Sequence, residues 1–200
     1  MTDRLSTFLE SLRADVYAEP PTPGHTLLTA RMAEEVAKLL QEGATIIDVG
    51  CGQGPALDWF TARGFNIMGT SLCDEDIEVC RANGHDVVKC DMHHLEDIPS
   101  RIMDCVWARH VLEHSPIPLL ALREFHRVLK IGGILYAEQP GPDTACQHDC
   151  SNSNHYSVLG GRAWQSLIER SGFEILSGQE LHLNTPAGPD VYFSFTAKKL

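Results

Sequence analysis

A chain of 200 residues is long enough for one well-cored domain and short for two. Hydrophobic residues at 43% and charged residues at 22% are ordinary globular values, which excludes a disordered, collagen-like or coiled-coil chain. Lys+Arg 16 against Asp+Glu 27 leaves a formal net charge of -11, which repels a phosphate backbone and an anionic membrane surface alike, so neither nucleic acid nor membrane is expected as a partner.

The opening MTDRLSTFLESLR alternates charged and apolar residues without the apolar run of a signal peptide or membrane span, which makes the cytoplasm the expected address. Leu5, Phe8, Leu9 and Leu12 predict an amphipathic helix over 3–14, packed on something larger. After a break at Pro20, Pro21, Pro23 and Gly24, a second helix carries Met32, Val36, Leu39 and Leu40 and stops at Gly43. Residues 45–49 read as a short buried strand, and from there the pattern alternates. Helix 55–63 ends at Gly64, strand 65–69 follows, helix 74–83 ends at Gly84, and strands 86–89 and 104–108 come next. Helix 117–129 stops at Gly132-Gly133 before strand 134–137, and helix 162–171 ends at Gly172 before strands 173–176 and 191–197. Alternating strands and helices imply an α/β fold with a mainly parallel, doubly wound sheet and helices on both faces. Seven Cys is an odd number. Cys51, Cys73, Cys80, Cys90 and Cys105 fall among apolar or Gly-rich stretches, so buried free thiols are expected rather than a disulfide framework.

In such a sheet ligands bind beyond the carboxyl ends of the strands. The first such segment is Asp48-Val49-Gly50-Cys51-Gly52-Gln53-Gly54-Pro55, where alternate glycines let the backbone turn tightly and approach a ligand at a helix N-terminus. A nicotinamide-binding turn wants G-x-G-x-x-G, and Pro55 stands where its third glycine would be. With Cys90-Asp91-Met92, Trp107-Ala108-Arg109-His110-Val111-Leu112-Glu113-His114 and Arg127-Val128-Leu129-Lys130-Ile131-Gly132-Gly133 following in order, the chain resembles the class I S-adenosylmethionine-dependent methyltransferases of small molecules over nearly its whole length. The resemblance implies a Rossmann-like sheet with an antiparallel C-terminal strand, one domain over 1–200 and residues 1–43 as a helical cap over the cofactor cleft. It implies S-adenosylmethionine as cofactor, held by Asp48, Gly50, Cys51, Gly52, Gly54, Ser71, Leu72, Asp91, Met92 and Arg109, with Asp91 at the adenine amino group and Met92 over the ring. Ser71 stands where the family usually has an acidic residue on the ribose hydroxyls, and a hydroxyl there is similar to the cyclopropane-synthase-like branch. Asp74, Glu75 and Asp76 fit dipole complementation at a helix start and are not assigned as ligands.

His110-Val111-Leu112-Glu113-His114 also matches H-x-x-E-H, but the segment follows a strand and meets Ser115-Pro116, too soon for the helix a zinc protease needs; His114 reads as structural. Loop 139–156 is long and polar and reads as a lid. Its Cys146, His148, Cys150 and His155 include zinc ligand types, yet C-x-H-x-C is not a common zinc spacing and no metal is assigned. The expected partner is a small-molecule acceptor, with His155 and His110 as candidate bases because imidazole titrates near neutral pH. The competing readings are a non-catalytic module on the same fold and a zinc-dependent hydrolase built on the His/Cys loop.

Overall fold

The computed structural model describes residues 4–18, 20–149 and 153–200. Its helices are α1 (Arg4–Ser11), α2 (Pro23–Ala37), α3 (Pro55–Thr61), α4 (Asp74–Ala82), α5 (Pro118–Val128) and α6 (Gly161–Arg170). Its strands are β1 (Thr45–Val49), β2 (Asn66–Ser71), β3 (Val87–Lys89), β4 (Met103–Arg109), β5 (Leu129–Pro140), β6 (Phe173–Thr185) and β7 (Gly188–Lys199). They form one sheet in the order β3-β2-β1-β4-β5-β7-β6, parallel except for β7, which runs antiparallel to both neighbours. The expected mainly parallel sheet with one antiparallel C-terminal strand is what forms.

Period-two alternation sends side chains to two cores, one on each face. Ile46, Cys105, Trp107 and Tyr136 meet Met32, Ala33 and Val36 of α2 and Phe60 of α3. Ile47, Val106 and Leu135 turn the other way, toward Leu122, Phe125 and Val128 of α5 and Trp164 and Ile168 of α6. Local signals set the helix ends: Thr22 accepts the His25 N–H at the start of α2, where Pro23 is the first helical residue. The chain leaves β1 toward β2 and β3 and later returns to the other side through β4, so a crevice opens above the carboxyl ends of β1 and β4.

Four expectations change. Helix α1 is shorter than residues 3–14, passes into a 3-10 turn at Leu12–Asp15 and buries no residue fully; Leu5 and Phe8 stay exposed while Leu9 and Leu12 are half-covered. Strand β5 starts at Leu129, where a helix was expected to run on. Met103 pairs with Leu129 and Cys105 with Ile134, so residues 130–133 bulge out of the ladder, and the close approach of the Lys130 carbonyl at Gly133 leaves no room for a Cβ there. Strands β6 and β7 are far longer than 173–176 and 191–197, and join at the tight turn Pro186-Ala187. Among the cysteines expected to be buried, Cys51, Cys80 and Cys105 are buried, whereas Cys73 and Cys90 are only half-buried; these five carry free thiols.

Candidate active site

Above the carboxyl ends of the parallel strands lies a cavity of about 380 Å³. Its wall includes Gly50, Cys51 and Gly52 after β1, Ser71 and Leu72 at the end of β2, Asp91 and Met92 after β3, and Arg109 and His110 at the end of β4, with His155 joining from the C-terminal side. Asp48 and Gly54 are not part of the wall. Asp48 is a buried β1 residue behind the glycine loop, and burial, against the pull of Arg109, pushes its carboxyl up to about 8. Gly54 caps α3 at φ 88°, a left-handed conformation that favours glycine. The loop itself is pinned, because the N–H groups of Gly50 and Cys51 both donate to the Thr70 carbonyl at 2.9 Å.

The wall over β2 and β3 is acidic. Asp91 Oδ1 accepts the backbone N–H of His93 at 2.9 Å and its Nδ1–H at 2.6 Å. Burial would raise the Asp91 carboxyl, but these two bonds outweigh it and hold it below the usual range. His93 Nε2 lies 2.6 Å from the Ser115 hydroxyl. Asp76, in the first turn of α4, is buried on the same side, and burial pushes its carboxyl above its ordinary value.

Over β4 and β5 the charges are paired. Arg109 Nε donates to Glu138 Oε1 at 2.7 Å and Nη1 to Thr29 at 3.1 Å, while Tyr136 donates to the other Glu138 oxygen. His110 sits in the left-handed region at φ 53°, with Nε2 3.2 Å from Glu138 and Nδ1 3.3 Å from Glu113. Burial opposes its charge, but the bonds to the two carboxylates outweigh burial and raise its pKa, which favours the charged ring. Burial would likewise raise Glu138; the His110 bond and the Arg109 charge bring it down to about 2.

His155 is the opposite case. Burial pushes its pKa below the ordinary value, and the neighbouring His114 ring, centroids 4.7 Å apart, adds to that. Its Nδ1 donates to the His148 carbonyl at 2.8 Å, so in the neutral ring Nε2 is the basic nitrogen. His114, read from sequence as structural, also lines the cavity. The H-x-x-E-H segment holds only the 3-10 turn Leu112–His114, so no helix aligns its two histidines as a zinc protease requires. Four buried atoms of the cavity-lining side chains, Asp76 Oδ1, Arg109 Nη2, Glu113 Oε2 and Asn154 Oδ1, find no hydrogen-bond partner among the described residues. Such atoms are costly unless a ligand or water meets them.

Residues 25–178 match the family model described as a methyltransferase domain. The chain belongs to this family. Among curated proteins it is 32% identical over 123 residues to a ubiquinone biosynthesis O-methyltransferase of Xanthomonas oryzae, covering 58% of this chain and 52% of that one. A protein of the same description from Nitrosomonas europaea is 32% identical over 98 residues, 46% of this chain and 42% of the relative. The chain thus spans about half the length of the curated relatives it matches. A solved structure described as a putative sarcosine dimethylglycine methyltransferase from Galdieria sulphuraria superposes with TM-score 0.73 at 17% identity, covering 98% of each chain. The cyclase SpnF superposes at 0.71 with 21% identity, over 98% of this chain and 92% of that one. These likenesses show the fold alone. Family membership makes this a class I methyltransferase domain with S-adenosylmethionine as its cofactor. No helix among the described residues is long and apolar enough to cross a membrane.

Sequence reasoning missed three features of this methyltransferase domain. Asp76 was passed over because an acidic helix start has an ordinary explanation, although its position two residues beyond Asp74 turns it inward. Glu138 lies on a buried strand where only its charge marked it. Tyr192, on the cavity wall, lies within the strand expected at 191–197, but nothing local in the sequence aimed it at the cavity.

Proposed function

We propose that this domain moves a methyl group from S-adenosylmethionine to a hydroxyl of a small molecule. The observation that carries the reading is one cavity wall that joins an open glycine turn and unpaired polar atoms to a histidine whose pKa is lowered by burial. The donor set fits the cofactor's mixed charges. Gly52 stands at φ 50° with nothing within 4 Å of where a Cβ would lie, so the backbone there is bare to a ligand. Arg109 Nη2 offers a cationic donor for a carboxylate, and the Asp76 carboxylate together with Ser71 offers partners for ribose hydroxyls. Both bonds to Asp91 fall on Oδ1, which leaves Oδ2 for the adenine amino group, with Met92 and Leu72 covering the ring. Asp48 acts through the loop it lies behind, and Gly54 through the start of α3.

When bound, the cofactor supplies an already activated methyl group on a sulfonium. The chain's own contribution is then alignment and proton removal. His155 Nε2 takes the acceptor's hydroxyl proton as the oxygen becomes nucleophilic. His110, with one ring nitrogen against Glu113 and the other against Glu138, has no nitrogen left for the acceptor; it braces the wall and does not serve as the base. The naming of the curated relatives as O-methyltransferases supports an oxygen acceptor. The whole chain is read as one domain, with residues 1–43 as its cap: Leu9, Leu12, Tyr17 and His25 contribute to the cavity wall, and Asp15 ties across to Tyr156 Oη at 2.7 Å and Asn154 Nδ2 at 3.1 Å.

The test is calorimetry with S-adenosylmethionine and S-adenosylhomocysteine, followed by labelled-methyl transfer to panels of phenols and alcohols. Wild type should bind both nucleosides, and Gly52→Val, whose side chain would project into the cleft, should lose affinity by at least about tenfold with an unchanged circular dichroism spectrum. Absence of binding to wild type at millimolar ligand would remove the proposal.

A further inference from the structure

Where the segment after β5 lies against β7, three side chains of unlike chemistry converge. Cys146 Sγ, a ring nitrogen of His148 and a carboxylate oxygen of Asp190 all lie within 4.8 Å of one another. The segment is clamped in place: Gly141 N–H donates to Val191 O at 2.8 Å and Ala145 N–H to Pro189 O at 3.1 Å. Between the two loop ligands Gln147 stands at φ 51°, a left-handed residue that turns the backbone. Asp190 is buried. Its Oδ1 accepts the Val191 N–H at 2.9 Å, and its Oδ2 lies 2.9 Å from His148 Nε2.

We propose that Cys146, His148 and Asp190 form a zinc-class metal site behind the cavity wall that His148 and Tyr192 share. A thiol, an imidazole and a carboxylate are the three ligand types zinc takes, and the thiolate disfavours magnesium and calcium, which want oxygen alone. Zinc bonds of about 2.0–2.3 Å put tetrahedral ligand atoms roughly 3.3–3.8 Å apart, so the cluster closes on an ion by small side-chain rotations. The His148–Asp190 contact and the 3.2 Å contact of Cys146 Sγ with Thr185 Oγ1 are then replaced by metal bonds. One thiolate and one carboxylate neutralise a divalent ion, which suits a buried place. The Val191 N–H on Asp190 Oδ1 is the kind of supporting bond that orients a ligating carboxylate.

The consequence reaches the cavity through one bond. His148 accepts the Nδ1–H of His155 on its carbonyl, so an ion that fixes His148 also fixes the ring of His155. The site was not readable as C-x-H-x-C, because its third member arrives from a hairpin strand 42 residues beyond His148. Cys150 lies outside the described residues. The other group of metal-ligand types, Glu113, His114 and His155, belongs to the cavity already described.

Metal binding can be measured without cofactor or acceptor, so its outcome is independent of the methyl-transfer reading. Protein stripped by chelator and kept reduced with a phosphine is titrated with zinc, and separately with cobalt(II). One zinc per chain is expected, with affinity reduced at least about tenfold in Cys146→Ser and in Asp190→Asn and unchanged in His114→Gln. The cobalt form should show thiolate-to-metal charge transfer in the near ultraviolet, absent in Cys146→Ser. Cys146 is only half-buried, so that variant keeps the test valid should Asp190→Asn fold poorly. The proposal is overturned by wild type that takes up no stoichiometric zinc, by full affinity in Cys146→Ser, by a cobalt form without charge transfer, or by loss of zinc in His114→Gln instead.

Discussion

Two histidines on one wall are shifted in opposite directions, and their surroundings, not their residue type, set the direction. Each nitrogen of His110 faces a carboxylate, which raises its pKa; burial and the His114 ring lower that of His155, which favours the unprotonated form that the proposed base needs. A base must be unprotonated, hence turnover should rise as pH climbs through the lowered pKa of His155, below 6.5. It should fall again once His110 loses its proton, because the bridge it makes between Glu113 and Glu138 in the wall is then broken. His155→Gln should reduce kcat roughly 10²–10⁴-fold while cofactor affinity holds, because base assistance acts on the transition state. In the same variant the acidic limb of the pH profile should vanish. Full turnover in His155→Gln, or an acidic limb that survives it, would return the role of base to another residue.

At the scale of elements, the site is positioned by the register of β2 on β1, in which Gly69 stands opposite Asp48 and packs under the glycine loop. A Cβ at Gly69 would come to 2.8 Å from Cys51 Sγ and 3.2 Å from Leu57 Cδ1, one in the glycine loop and one in α3. Gly69→Ala should therefore cost about 1–3 kcal/mol by overpacking, seen as a lower urea midpoint at constant slope, and should weaken cofactor binding because Cys51 is displaced. An unmoved midpoint would mean that β2 can slide. The strands that carry the cavity were legible because they are short, apolar and punctuated by glycine, as Thr45–Val49 before Gly50 illustrates. The C-terminal hairpin was legible only in part, its two strands placed but cut short. Beyond Ile175 its first strand runs Leu176-Ser177-Gly178-Gln179-Glu180, with a register shift between Ile175 and Ser177 that breaks the alternation a reader looks for. The glycine loop, Asp91 and His155 could be placed at the cavity from sequence because motif and position agreed. Asp76 and Asp190 were hidden because nothing local separates an inward-facing carboxylate from a solvated one; only the fold turns them inward.

For the whole molecule, the buried acids are of two kinds that pull stability in opposite directions with pH. Glu138, Glu113, Asp91 and Asp190 sit below their ordinary pKa values in the folded chain. Their contribution is present above the unfolded values near 4 and is lost as pH falls through each folded value, to about 2 for Glu138. Asp48 works the other way. Its folded carboxyl keeps a proton up to about 8, while the unfolded chain releases it near 3.8, so its contribution is full below 3.8 and is lost progressively as pH rises to about 8. Stability should therefore peak between these arms, in mildly acidic solution, and decline toward pH 8, where growing negative charge on a chain already at -11 adds repulsion. Asp48→Asn removes one titration and keeps the shape of the side chain. Its stability relative to wild type should grow from pH 5 to pH 8, by up to about 1.4 kcal/mol per pH unit, the limit for one proton. Urea midpoints at unit steps of pH measure the difference. Parallel curves for the two proteins would mean that Asp48 is ionised in the folded state, and that Arg109 outweighs burial behind the glycine loop.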